Sequence, residues 1–203
     1  GRLLSGGALL LMILSGYSFA HFQREKILQG NYFDVIKNYF INVIIPYYLI
    51  MILVTAISSN SHSRWQSFAL ISNFDPSPSG LLNAYWFIET LFHVILITCF
   101  ILSIKNINAM ADRSPYKFGI CYVIFGELLY LIVPKIIQFP KIYKLLPTPE
   151  YHVVYFALGW LIFFSSDFYK KIFCFIIAII MIYHQYGANS SYIYIASGGV
   201  LLT

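Results

Sequence analysis

Six apolar stretches, each separated from the next by a polar link, run along this chain of 203 residues, and a seventh begins near its end. A transmembrane α-helix needs about 20 mainly apolar residues to cross a bilayer. The pattern therefore predicts membrane spans at residues 3–22, 39–58, 81–104, 116–133, 151–166 and 172–186, with a seventh starting at Tyr192. Because proline lacks a backbone N–H, we expect Pro46 to kink the second span and Pro134 to end the fourth. The predicted fold is all-α, a polytopic bundle of about six transmembrane helices plus the start of a seventh.

Positive charge is distributed unevenly between the two faces that these spans define. The links after the first, third and fifth spans, together with Lys117 at the start of the fourth span, hold eight Lys and Arg residues, and the other face holds five. The eight are Arg24, Lys26, Lys37, Lys105, Arg113, Lys117, Lys170 and Lys171, and the five are Arg2, Arg64, Lys135, Lys141 and Lys144. Cytoplasmic links carry the excess of positive charge, so we expect the first set to be cytoplasmic.

The links differ in length and composition. The longest, residues 59–80, then faces outward and ends in a turn signal, Asp-Pro-Ser-Pro-Ser-Gly. Residues 105–114 read as a short charged link. Residues 135–150 are rich in proline and lysine, which predicts an irregular or interfacial connector.

Composition supports a membrane protein and excludes several other classes. Hydrophobic residues make up 59% of the chain and charged residues 10%, and the mean hydropathy is +0.73. The net charge is +5, but the cations are scattered and form no nucleic-acid-binding surface. The three cysteines all lie in apolar segments, without the spacing of a zinc site. Since the chain opens on Gly-Arg and stops within an apolar run, we expect residues 1–203 to be an internal piece of a longer protein and to form one transmembrane domain. The first apolar run lacks the charged start and the small-residue cleavage site of a signal peptide.

The third span carries the candidate chemistry. Within its apolar run, LLNAYWFIETLFHVILITCFILSI, stand Trp86, Glu89 and His93. The four-residue step from Glu89 to His93 places carboxyl and imidazole groups on one helix face. A charged side chain at the bilayer centre costs about 2.5–3.5 kcal/mol on insertion scales, so such groups face a partner or a polar cavity.

Two interpretations of Glu89 and His93 stay open at this point. In the functional one, the carboxylate fixes the tautomer of the imidazole, which then removes a proton from a hydroxyl group. In the structural one, the two groups are a satisfied polar pair that packs helices together. A metal site would need further ligands. Glu127 is the other acid within a span, whereas His21 and His184 lie near span ends, where their rings reach the interface.

Several short segments resemble the acyltransferase 3 family of integral-membrane enzymes. The resemblance rests on Ile13-Leu14-Ser15-Gly16-Tyr17, on Ile44-Ile45-Pro46-Tyr47-Tyr48 at a span entry, on Tyr85-Trp86-Phe87-Ile88 leading to Leu91-Phe92, and on residues 154–161, VYFALGWL. The order and spacing resemble the second, third and fourth of the family's roughly ten spans. Two features depart from the family pattern. Its Arg-x-x-Arg element is missing from residues 39–45, where Lys37 is the nearest cation, and its proposed catalytic histidine would precede Gly1.

The resemblance implies transfer of an acyl group, expected to be acetyl, from cytosolic acyl-CoA to a hydroxyl group of a cell-envelope glycan. It implies no metal, and places the protein in the lipid bilayer of a bacterial inner membrane, with acyl-CoA and a glycan acceptor as partners. Glu89 and His93 are the expected catalytic residues. The expected substrate-binding residues are Trp86, Lys37, Glu127, Ser15 and Tyr17.

Other classes of protein share the same features. A transporter or flippase would also place Glu89, His93 and Glu127 in a midplane cavity, and envelope glycan polymerases share the Tyr-, Phe- and Ile-rich composition. An upstream span carrying Arg and His would favour acyl transfer, and an inverted repeat would favour transport. A purely structural membrane subunit is the third interpretation, which leaves the intramembrane acids without a role.

Overall fold

The computed structural model of this chain describes residues 2–57, 68–74, 86–136 and 148–186. Within these ranges the chain is helical and has no strand, which confirms the predicted all-α class. The helices are α1 (Arg2–Phe22), α2 (Arg24–Leu28), α3 (Tyr32–Tyr39), α4 (Ile45–Ile57), α5 (Trp86–Ser103), α6 (Lys105–Arg113), α7 (Pro115–Ile136), α8 (Pro149–Phe163) and α9 (Phe168–Tyr186). A π-helical segment, Phe40–Ile44, joins α3 to α4, and Ser72–Phe74 forms a 3₁₀ turn.

Four helices in the described ranges are long and apolar enough to cross a membrane. They are the continuous helix Tyr32–Ile57, then α5, α7 and the Phe168–Gln185 part of α9. The apolar part of α1, Gly7–Phe22, is shorter, and α8 has 15 residues. The chain is thus a membrane protein by helix length and composition, and the predicted number of six spans stays a prediction. The predicted seventh span from Tyr192 and most of the predicted outer loop lie outside the described residues.

The helix boundaries bear on three local predictions. The fourth span does not end at Pro134, because α7 continues to Ile136. Because Pro134 has no N–H, the helix lacks the hydrogen bond to the carbonyl of Tyr130. This loss is tolerated because Pro134 lies in the last turn of α7. Near Pro46 the distortion takes the form of the π-helical turn that precedes it. The charged link 105–114 folds as α6 over most of its length.

Helix α8 lies at the centre of the bundle. Every side chain from Pro149 to Ile162 except that of Tyr151 is buried. A helix that is apolar all round must be covered on all sides. α1 and α7 provide most of that cover, and α5 and α9 provide the rest.

Glycines allow α1 and α7 to approach α8 at backbone distance. Gly16 lies directly against the backbone of Phe156, and Gly159 lies against the backbone of Ile13. A methyl group at Gly126 would stand 2.7 Å from the Cα of Val154. One at Gly119 would stand 3.1 Å from the Cα of Leu161. Gly16, Gly119 and Gly126 thus allow α1 and α7 to pack closely on α8.

Three links meet at one end of the bundle, which we call the cation-rich end. The Arg24 side chain donates to the carbonyl oxygens of Ala111 at 3.3 Å and Asp112 at 3.1 Å. Its guanidinium also lies 5.5 Å from the ring centroid of Phe164. The links after the first, third and fifth predicted spans thus share one end, as their alternation predicts. That this end is cytoplasmic stays a prediction.

Candidate functional site

Glu89 is the centre of a buried hydrogen-bond network, which we call the Glu89 network. Its side chain lies in the early part of α5, far from the cation-rich end, and is only 1% exposed. Its Oε1 accepts hydrogen bonds from the hydroxyl groups of Tyr47 at 3.1 Å and Ser72 at 2.7 Å. Its Oε2 accepts one from the backbone N–H of Asn73 at 3.3 Å. The carboxyl group therefore connects α4, the 3₁₀ turn and α5.

Asn73 reinforces this connection from the 3₁₀ turn. Its side-chain amide donates to the carbonyl oxygen of Trp86 at 2.8 Å and to the Thr90 hydroxyl at 2.9 Å. Asn73 is 4% exposed, so these bonds replace the water that its amide loses on burial. The network thus holds the 3₁₀ turn against α5. Sequence reasoning did not identify Tyr47, Ser72 or Asn73 as partners of Glu89.

His93 lies one turn further along α5 and takes no part in that network. Its Nδ1 is buried and has no hydrogen-bond partner among the described residues. The ring packs against Phe74, with 5.6 Å between centroids. Glu89 and His93 do not bond to each other in this structure, so the expected carboxylate–imidazole hydrogen bond is not formed. The Glu89 oxygens instead accept from donors of α4 and the 3₁₀ turn.

Trp86 contacts a second histidine that sequence analysis did not single out. The rings of Trp86 and His152 lie 5.2 Å apart. His152 is buried at the start of α8, and its Nδ1 lies 3.0 Å from the carbonyl oxygen of Thr148. The Thr148 hydroxyl in turn donates to Glu150 at 2.6 Å. The sequence gave no reason to single out His152 as a functional residue. It lies beside a proline-rich connector, and the apolar run after it is typical of a membrane span.

Glu127 pairs with His184 across α7 and α9. His184 Nδ1 and Glu127 Oε1 are 2.6 Å apart, and the two side chains are 47% and 25% exposed. The other carboxyl oxygen, Oε2, is buried and has no partner among the described residues. The Tyr130 ring lies 5.6 Å from that of His184. His184 was expected near a span end with its ring at the interface, and its pairing with an acid 57 positions earlier was not specified.

The remaining expected substrate-binding residues lie elsewhere in the fold. Tyr17 packs edge-on against Phe163, with 5.2 Å between ring centroids. Ser15 is partly exposed on α1, and Lys37 is exposed on α3. Trp86, Glu89 and His93 share α5, but the other expected residues do not converge on them. In the part of the chain that the structure describes, no three His, Cys, Asp or Glu side chains form a group able to hold a metal ion.

The Glu89 network and His93 together form a defined chemical environment. A carboxyl group that accepts three hydrogen bonds is held in a fixed position, which suits a positioning role. An imidazole nitrogen without a partner is free to accept a proton from an incoming hydroxyl group. In comparisons with known proteins, the chain matches no family model, no curated protein and no solved structure.

Proposed function

We propose that this protein is a membrane O-acyltransferase of a bacterial inner membrane. It moves an acyl group, for which acetyl is the expected identity, from cytosolic acyl-CoA to a hydroxyl group of a cell-envelope glycan. The observation that carries the proposal is the buried, unpartnered Nδ1 of His93 inside a spanning helix. A buried polar nitrogen without a partner costs free energy, which is tolerated at sites of chemistry. The resemblance of the chain to acyltransferase 3 enzymes supports the same reaction.

In the proposed reaction His93 acts as the general base. Its Nδ1 takes the proton of the acceptor hydroxyl while the hydroxyl oxygen attacks the thioester carbonyl carbon. The new C–O bond forms as the C–S bond breaks, and the departing thiolate recovers the proton from His93. Glu89 does not touch the substrate in this proposal. It acts as a positioning residue that holds the Ser72–Phe74 turn, and with it the Phe74 ring beside His93.

The location of His93 sets a requirement on the donor. His93 precedes the end of α5 at Ser103 by ten residues, which corresponds to about 15 Å along a helix. A donor that arrives at the cation-rich end must therefore reach about that far to present its thioester. The cations there, Lys37 among them, are available to attract its phosphate groups.

The test uses the full-length protein, radiolabelled acetyl-CoA and envelope glycan from a deletion strain. We expect His93→Gln to lower label transfer by about 100-fold or more, because general-base catalysis contributes about that much. His21→Gln, a matched change at an exposed histidine, is the control and should leave transfer unchanged. Protein abundance is measured for both variants. Undiminished transfer by the His93→Gln protein would refute the role of His93, and absence of transfer by the wild type would refute the reaction.

A proton-coupled transporter or flippase is the second candidate, and the Glu127–His184 pair favours it. A carboxyl group and an imidazole 2.6 Å apart within spanning helices can hold and release a proton. In liposomes with a pH gradient, this candidate predicts glycan-dependent proton uptake that Glu127→Gln abolishes. Acyl transfer without such proton uptake would refute the transporter candidate and support the acyltransferase proposal.

A further inference from the structure

Positive charge is concentrated in one part of the cation-rich end. α2 and α3 carry three cations and two acids: Arg24, Lys26, Lys37, Glu25 and Asp34. Arg24 is paired with Asp112 of α6 at 3.6 Å, so the cations of α2 and α3 are balanced. Where α6 ends and α7 and α9 begin, four cations stand beside one acid: Arg113, Lys117, Lys170, Lys171 and Asp167. We call these five residues the α7–α9 patch.

Lys170 joins the start of α9 to the start of α7. Its Nζ lies 5.2 Å from the ring centroid of Tyr116 and 2.8 Å from Oδ2 of Asp167. Asp167 thus neutralises Lys170 and does not offset the other cations of the patch. Lys117 and Lys171 are exposed, and each directly follows a residue of the Tyr116–Lys170 contact. Within the described residues Lys117 forms no ion pair, so the patch keeps positive charge that the protein does not balance.

Exposed aromatic and aliphatic side chains continue from the α7–α9 patch along the spanning helices. Phe168 and Tyr169, the first two residues of α9, are exposed. Further along the two helices lie more exposed apolar side chains: Ile172, Phe173 and Ile176 on α9, and Ile124 on α7. A helix that enters a bilayer presents cations, then aromatic rings, then apolar side chains in this order. A soluble anion such as a nucleotide would leave the apolar surface uncovered, whereas a lipid covers both parts.

We propose that the α7–α9 patch binds an anionic phospholipid of the surrounding bilayer. The phosphate group of the lipid lies between the exposed cations of Lys117 and Lys171, and its acyl chains lie along the exposed apolar side chains of α9. Charge complementarity favours this occupant, because each cation close to the membrane surface strengthens the binding of anionic lipid about fivefold. The site is independent of acyl transfer, and it does not depend on which face of the membrane is cytoplasmic.

The test measures the lipids that the full-length protein retains, by native mass spectrometry after release from nanodiscs. The nanodiscs contain equal amounts of phosphatidylglycerol and phosphatidylethanolamine. Both headgroups carry a hydrogen-bond donor, but only phosphatidylglycerol has a net negative charge. We expect the wild type to retain phosphatidylglycerol about fivefold or more over phosphatidylethanolamine, and this preference should decrease as salt screens the exposed cations.

Double variants separate the α7–α9 patch from the rest of the cation-rich end. Lys117→Gln with Lys171→Gln should lower the preference about fivefold or more, because both exposed cations are lost. Lys117→Arg with Lys171→Arg keeps both charges and should keep the preference. The matched control is Lys26→Gln with Lys37→Gln, which removes the same charge from α2 and α3 and should stay close to the wild type. Circular dichroism checks that each variant is helical.

Three results would overturn the proposal. The first is a wild type that shows no preference for phosphatidylglycerol. The second is an equal loss of preference in the two Lys→Gln double variants, since the charge of the whole end would then attract the lipid without a local site. The third is displacement of the retained phosphatidylglycerol by acetyl-CoA, which would assign these cations to the acyl donor.

Discussion

Around α8 the bundle is held by contact between backbones, whereas around the early part of α5 it is held by hydrogen bonds. Gly16 and Gly159 let α1 and α8 touch without any side chain between them. At Glu89, by contrast, three donors from two other segments converge on a single carboxyl group. Both regions are buried, but the α1–α8 contact is made by glycine and backbone atoms, whereas the contact at Glu89 depends on a polar side chain.

The difference shows how stability and chemistry are separated in this fold. Backbone contact at glycine gains dispersion energy and gives up no hydrogen bond, so it can hold helices together anywhere along their length. A buried carboxyl group is tolerated only where several donors are placed within reach. The glycine contacts therefore carry the architecture, while the Glu89 network fixes the surroundings of His93.

The glycine contact of α8 should be the more sensitive of the two regions. Gly159→Ala places a methyl group against the backbone of Ile13 and Tyr17, which cannot move as a side-chain end can. We expect the free energy of unfolding to fall by about 2–3 kcal/mol, and Gly159→Leu to lower it by more or to prevent folding. Unfolding in a lipid environment, followed by circular dichroism, measures both.

Gly7→Ala is the matched control for this prediction. Gly7 lies on the same α1 helix, but a methyl group there meets nothing within 4 Å. Its free energy of unfolding should stay close to that of the wild type. If Gly7→Ala and Gly159→Ala destabilise the protein equally, close backbone contact is not what holds α1 to α8.

The Glu89 network should respond somewhat less, and in steps. Glu89→Leu leaves the Ser72 hydroxyl and the Asn73 N–H without their buried acceptor, so we expect a loss of about 1–2 kcal/mol in the free energy of unfolding. Glu89→Gln keeps one acceptor oxygen and should cost about 1 kcal/mol. Glu127→Leu is the control, because that carboxyl group has one partner and is partly exposed. Equal losses for Glu89→Leu and Glu127→Leu would show that the number of donors does not matter.

The glycine region was predictable in part from the sequence, although Gly159 was not singled out, and the Glu89 network was not predictable. Gly16, Gly119 and Gly126 stand in apolar spans, where a residue without a side chain has one main structural use. Two of the partners of Glu89, Ser72 and Asn73, lie 17 and 16 positions earlier, on a loop whose path the sequence does not specify. The helical spacing of Glu89 and His93 predicted that they are neighbours, but spacing alone cannot say which donor reaches a carboxyl group first.

The same reasoning explains the other differences between prediction and structure. α6 was expected to be a polar link because the segment carries several charged residues. Its apolar residues recur on one helix face and pack against the bundle. The Glu127–His184 pair joins residues 57 positions apart, which depends on how α7 and α9 are placed around α8. Local pattern therefore predicted most helices, and long-range packing determined which polar groups meet.

A third kind of contact, exposed and ionic, should have the smallest effect and a distinct dependence on pH. Asp167 lies at the start of α9, where its Oδ1 accepts from the Lys170 N–H at 2.9 Å and its Oδ2 lies 2.8 Å from Lys170 Nζ. Hydrogen bonding from the Lys170 side chain and backbone lowers the pKa of Asp167 below its ordinary value of 3.8. A carboxyl group whose pKa is lower in the folded state adds stability above its unfolded pKa, and that stability is lost as the pH falls through the folded pKa.

Asp167→Asn should therefore lower the midpoint of thermal unfolding slightly at neutral pH and have no effect in strong acid. Solvent screens this exposed pair, so the shift should be smaller than that of either buried region. Measurement of the midpoint against pH for the wild type and the variant gives two curves, and curves that stay parallel into strong acid would show that the charge of Asp167 does not contribute.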